Sequence, residues 1–128
     1  MSKTLLIIED DPYVLRFYER LFRLHNCIVE MASSGEEGLE KAKKLKPPLI
    51  LMDIMMPKMN GLEVLEKIKA DPETKDSVVI MLSNFGEEEI IKKAKGLGAE
   101  NYIIKSKVSD EELLAVVDKY IETSTGSR

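Results

Sequence analysis

The chain has 128 residues, is 44% hydrophobic and 33% charged, and carries 19 basic against 23 acidic side chains, a net charge of −4. That length suits one domain with enough core to fold without staples, and the acidic balance argues against a dedicated nucleic-acid binder, which needs a basic face. Cys27 is the sole cysteine, so no intrachain disulfide can form and a reducing cytoplasm is the simplest compartment. The apolar runs are far too short for a membrane span, and the acids Glu9, Asp10 and Asp11 follow too closely on the first run for a signal peptide. The expectation is one soluble cytoplasmic domain over residues 1–128, with a core from 4 to 121 and a polar, frayed tail from 122 to 128.

Short aliphatic runs alternate with segments of helical period. Strands are predicted at Leu5–Glu9, Ile28–Met31, Leu49–Asp53, Val78–Ser83 and Asn101–Lys105. Nearly continuous aliphatics mark strands covered on both faces of a parallel sheet. The first helix should run from Pro12 to about Leu24, capped by Asp11, with Val14, Phe17, Leu21 and Leu24 inward. Ser34 with Glu37 forms a capping-box pattern for a second helix that buries Leu39, Ala42 and Leu45. A third helix starts near Gly61 and buries Leu65 and Ile68. The fourth follows Gly86, turns Ile90, Ala94 and Leu97 inward, and stops at Gly98. Ser109 with Glu112 opens the fifth, which carries Leu113, Val116, Val117 and Tyr120. Five β-α units in series imply an α/β fold: a five-stranded parallel sheet, helices on both faces, right-handed crossovers.

Ligands of open α/β sheets bind outside the carboxyl ends of the strands. On this reading Glu9 and Asp10 end the first strand, Asp53 the third, Ser83 the fourth and Lys105 the fifth. Clustered carboxylates stay ionised cheaply only around a cation, and oxygen-only ligands favour a hard ion such as Mg²⁺. Lys105 adds a second positive charge and Ser83 a donor, which suits a phosphoryl group. An aspartate at the centre can itself be the nucleophile and hold an acyl phosphate.

With Leu5-Leu6-Ile7-Ile8-Glu9-Asp10-Asp11-Pro12, Leu51-Met52-Asp53 through Pro57-Lys58-Met59-Asn60-Gly61, Ser83, and Tyr102-Ile103-Ile104-Lys105 in order, the chain resembles the receiver domains of two-component response regulators. It is similar to the stand-alone chemotaxis type. The resemblance covers Leu5 to about Ile121 and implies a doubly wound, flavodoxin-like (βα)5 fold with strand order 2-1-3-4-5. It implies Asp53 as phosphoacceptor and Mg²⁺ ligand, Asp10 and Glu9 as further ligands, and the Met55 carbonyl as another. Lys105 would pair with the phosphoryl oxygens, Ser83 would bond the phosphorylated state, and Tyr102 would turn inward as the switch partner. The implied donor is a histidine kinase or phosphotransfer protein. A downstream protein would read the fourth helix, fifth strand and fifth helix, with no nucleic acid or membrane contacted directly. The implied state is a monomer or a phosphorylation-dependent dimer, and the chain is a phosphoacceptor that catalyses its own modification, not a turnover enzyme.

Two residues depart from the family's pattern. Ser106 replaces the usual cis-proline after the lysine; a cis bond before a non-proline residue costs about 2.5–4 kcal/mol, so the loop is either trans or strained. Asn84 replaces a small residue and is expected to crowd the phosphoryl site. Met55 and Phe85 flank the site and are expected to restrict water and slow acyl-phosphate hydrolysis. These departures support an alternative, a pseudo-receiver that signals by protein contact without phosphate. A flavin protein is disfavoured because the loop after the first strand is acidic, and an aspartyl phosphatase because Asp10 and Asp11 are adjacent. Met52, Met55, Met56 and Met59 read as adaptable core filling rather than a soft-metal site. His25 reads as a helix C-terminal cation, Cys27 as a small buried hydrophobe, and the lysines at 41, 43, 44 and 46 as a solvated face. Leu15 and Phe22, off the expected stripe of the first helix, read as packing.

Overall fold

The computed structural model describes residues 3–125, with side chains as far as Ile121. The elements alternate as β1 (Thr4–Ile8), α1 (Pro12–Leu24), β2 (Ile28–Ala32), α2 (Gly35–Leu45), β3 (Leu49–Met52), α3 (Gly61–Ala70), β4 (Val78–Ser83), α4 (Glu88–Gly96), β5 (Asn101–Ile104) and α5 (Asp110–Thr125). A short 3₁₀ turn over Lys105–Lys107, absent from the sequence reading, follows β5. All strand pairs are parallel and the order is β2-β1-β3-β4-β5, as expected. The chain runs outward from β1 to β2, then returns across β1 to β3. That reversal opens a crevice at the carboxyl ends of β1 and β3.

Alternation along the strands builds a core on each face. Leu6, Ile8, Ile50, Met52, Val79 and Met81 meet Ala42, Val64, Leu65, Ile68 and Ala94 of α2, α3 and α4. Leu5, Ile7, Leu49, Leu51, Ile80 and Leu82 meet Tyr18 and Phe22 of α1 and Leu113 and Val117 of α5. Asp11 caps α1 by accepting from the Tyr13 and Val14 N–H groups at 2.9 and 3.3 Å. The expected stop after α4 is Gly98, at φ 112°.

Several expectations need correction. On α1 the inward side chains are Tyr18 and Phe22, with Val14, Leu15 and Leu21 packed beside them; Phe17 is 50% exposed and Leu24 80%. Tyr13, Phe17 and Leu24 form a second apolar stripe at helical spacing, so periodicity alone does not choose the buried one. Leu45 is also exposed. On α2, Ser34 accepts from Glu37 N–H, but Glu37 reaches back to Ser33, not to the cap residue. Lys41 is not simply solvated, since its ammonium donates to the Met31 carbonyl at 2.5 Å. His25 caps α1, and its Nε2 lies 2.8 Å from Asp118 on α5, a cross-helix contact unseen in the sequence. Cys27 is half-buried, and desolvation pushes its thiol up. The helix α5 continues through Thr125, into the expected tail; residues 126–128 lie outside the described residues.

The capping box on α5 is complete. Ser109 Oγ accepts from Glu112 N–H at 3.1 Å and Glu112 accepts from Ser109 N–H at 2.8 Å. Ser109→Ala is therefore expected to cost about 1 kcal/mol, read as a lower urea midpoint at unchanged m-value; an unchanged midpoint would show that the cap contributes nothing. By contrast, no side chain caps the start of α4.

Candidate functional site

Glu9 and Asp53 sit one residue past their strands and Asp10 two, not on the last strand positions, yet the ladder still places Glu9 and Asp53. Glu9 N–H donates to Ala32 O at 3.0 Å and Asp53 N–H to Ile8 O at 3.1 Å. These bonds hold the two residues side by side at the reversal point. Oxygens of Glu9, Asp10 and Asp53 all lie within 4.8 Å of one another. Lys105, likewise one residue past β5, puts its ammonium 2.7 Å from Glu9 Oε1 and 3.7 Å from Asp53 Oδ2. Glu9, not the central aspartate, is thus its nearer partner.

The other oxygens of Glu9 and Asp53 also have partners. Glu9 Oε2 accepts from Asp11 N–H at 3.1 Å, and Asp53 Oδ1 accepts from Ile54 N–H at 2.8 Å. Asp53 Oδ2 is left facing Lys105. Glu9 is only 4% exposed. Burial pushes its carboxyl up, the bonds from Lys105 and Asp11 N–H oppose this, and the Asp53 charge adds to the rise. Tyr18, which the sequence reading passed over as a site neighbour, lines a small cavity with Glu9 and Asp53. Desolvation, reinforced by the charges of Glu9, Asp110 and Asp53, pushes its phenol up to about 12. Its spacing of four from both Val14 and Phe22 was the available signal.

Ser83 ends β4, is buried, and accepts from Phe85 N–H at 3.1 Å. Tyr102 donates its hydroxyl to the Phe85 carbonyl at 2.5 Å, so the serine and the tyrosine hold one loop from two sides. Asn84 does not lie loose across the approach; its Oδ1 accepts from Ser106 N–H at 3.0 Å. No cis peptide occurs among the described residues, so the Lys105–Ser106 bond is trans. Met52 and Met56 fill the core and Met59 packs against it. Met55 does not: it is 59% exposed and lines an open depression of about 340 Å³ with Asp10, Met56 and Pro57.

The arrangement can hold a hard cation among three carboxylates and present one aspartate oxygen to an ammonium. The family model for the response regulator receiver domain matches residues 5–118. This chain belongs to that family. The receiver domain is 38% identical to the chemotaxis protein CheY of Treponema pallidum over 103 residues, 78% of this chain and 70% of that one. It is also 38% identical to the nitrate/nitrite response regulator NarL of Escherichia coli K12, over 87% of this chain but only 51% of NarL. A CheY-like receiver domain of known structure from Methanospirillum hungatei superposes with a TM-score of 0.87 at 29% identity, covering all of both chains. Phosphorylation-driven switching is a property of this family. No helix among the described residues is long and apolar enough to cross a membrane.

Proposed function

We propose that this receiver domain takes a phosphoryl group onto Asp53 from the phosphohistidine of a histidine kinase or phosphotransfer protein, in a Mg²⁺-dependent reaction. The observation that carries the reading is Asp53 Oδ2 facing the Lys105 ammonium inside a cluster of three carboxylates. The donors are all oxygens, which fits Mg²⁺; Glu9, Asp10, Asp53 and the carbonyl of Met55 would hold it. Bound there, the ion neutralises carboxylate and phosphoryl charge.

Oδ2 attacks phosphorus because Oδ1 is occupied by the Ile54 N–H. The O–P bond forms as the P–N bond to imidazole breaks; the leaving nitrogen keeps the electron pair and takes a proton. Lys105 turns from Glu9 toward the new anion, whose added charge is about −1.5 to −2. Ser83 gives up the Phe85 N–H and donates to a phosphoryl oxygen. That frees the loop that Tyr102 also holds, next to the α4 start that lacks a side-chain cap. Making a rare state dominant takes roughly 5.5 kcal/mol, within reach of a few charge-assisted bonds. A downstream protein reads the α4-β5-α5 face. The switch works in the cytoplasm, as a monomer or a dimer formed on phosphorylation, and is spent once per phosphoryl group rather than turning over.

The test is intact mass after incubation with acetyl phosphate. One phosphoryl group should be gained with Mg²⁺ and none with chelator, and hydroxylamine should displace it as inorganic phosphate, leaving a hydroxamate, as an acyl phosphate requires. No gain by folded protein in Mg²⁺ would overturn the reading in favour of a module that signals by contact alone.

A further inference from the structure

We infer that Asn84 is a positioning residue for Lys105, acting through the backbone N–H of Ser106. The consequence for phosphoryl transfer rests on the function proposed above; the positioning itself does not. Asn84 Oδ1 accepts from Ser106 N–H at 3.0 Å, across 22 residues of chain. It ties the loop after β4 to the 3₁₀ turn after β5. Both residues are exposed, so this is a specific link between two loops and not a by-product of burial.

Asn84 is one peptide beyond Ser83, and Ser106 one peptide beyond Lys105. The Lys105–Ser106 peptide is therefore held at its nitrogen by Asn84, while the Lys105 side chain is held by Glu9 and Asp53. The two departures from the family's pattern form one unit: a proline at 106 has no N–H to give, and a small residue at 84 has no side-chain oxygen to receive it. The serine hydroxyl has no part in the link. Asparagine also accepts without adding a fourth negative charge to a rim that already has three carboxylates. With Phe85 N–H on Ser83 and Phe85 O on the Tyr102 hydroxyl, residues 83 to 85 are each fastened to the site. A displacement of Ser83 toward a phosphoryl group is thus passed through Asn84 to the backbone that carries Lys105.

The experiment compares the whole chain with N84A, N84D and S106A by NMR. It follows exchange of the residue 106 amide and the Lys105 ammonium resonance, with acetyl phosphate labelling rates for the wild type and N84A. N84A should speed exchange at Ser106 by about two- to tenfold, the weight of one hydrogen bond, and shift or broaden the Lys105 ammonium signal. Its labelling should slow by a similar factor. N84D, whose carboxylate accepts the same bond, should restore amide protection, and S106A should keep it. Unchanged Ser106 exchange in N84A, or an unmoved Lys105 ammonium, would overturn the inference. If the wild type takes no label, the proposed function fails alone, because exchange and the ammonium signal still decide the positioning role.

Discussion

Asp53→Asn is expected to gain no phosphoryl group under conditions that label the wild type, and to be more stable than the wild type in the presence of chelator. The first outcome follows from the chemistry: the amide that replaces Oδ2 has no anionic oxygen to attack phosphorus. The second follows from electrostatics. The Asp53 charge is one of the causes that raise the carboxyl of Glu9, which is already disfavoured as an anion by burial. Asparagine can still accept from Ile54 N–H through Oδ1, so the loop need not change. The expected gain is on the order of 1–2 kcal/mol, below the roughly 4 kcal/mol for unit charges 4 Å apart at an effective dielectric of 20, because Lys105 already offsets part of the repulsion.

That gain has a definite pH dependence. Glu9 has a higher pKa folded than unfolded, so the native state favours its protonated form. Its contribution is fully present below the ordinary carboxylate range and is lost as pH rises through its folded pKa. With Asp53 neutralised the folded pKa drops toward the ordinary value and the loss shrinks. The difference between Asp53→Asn and wild type should therefore be small at acid pH and complete at neutral pH. Urea unfolding in chelator at the two pH values measures it. An Asp53→Asn protein that still labels would move the phosphoacceptor elsewhere, and one less stable at neutral pH would mean that repulsion does not govern the site.

What the sequence disclosed and what it hid divide along physical lines. Strands such as Leu49–Met52, buried at every residue, and caps such as Ser109 with Glu112 are local signals, and both were legible. Strand order and the meeting of acids from β1 and β3 with Lys105 followed from the alternation and the family motifs together. Ends were off by one because Glu9 and Asp53 keep a ladder bond after the strand geometry has lapsed. The buried face of α1 was misread because Phe17 and Leu24 compete with Tyr18 and Phe22 at the same period. Individual pairings between residues distant in the chain were not legible. Nothing local says that Lys105 prefers Glu9, that His25 meets Asp118, or that Asn84 receives the N–H of Ser106. Asn84 was expected only to crowd the phosphoryl site by its bulk; its bond to a backbone 22 residues away left no local signal.

Gly61→Ala is expected to lower both stability and phosphorylation, the latter by about 100-fold, the effect of moving reacting groups by roughly 1 Å. A Cβ at Gly61 would lie 2.1 Å from the Asp53 carbonyl oxygen, 2.9 Å from Ile54 Cα and 3.0 Å from the Asp53 carbonyl carbon. All three are backbone atoms, so no side chain can rotate aside. The glycine is required here for close approach and not for a left-handed φ. Its own N–H donates to Ile54 O at 2.8 Å, closing the loop from β3 to α3 onto the residues beside Asp53. Adding a methyl group must push that loop away or shift Asp53, which is fixed by its N–H on Ile8 O and its Oδ1 on Ile54 N–H. Overpacking of this kind costs about 1–3 kcal/mol, so the variant should remain folded with a lower urea midpoint while its labelling rate collapses. Gly96→Ala is the control, because a Cβ there meets nothing within 4 Å and should change stability by less than about 1 kcal/mol. Wild-type labelling by Gly61→Ala would mean that the α3 entry can retreat without moving Asp53, and that the nucleophile is positioned by β1 and β3 alone.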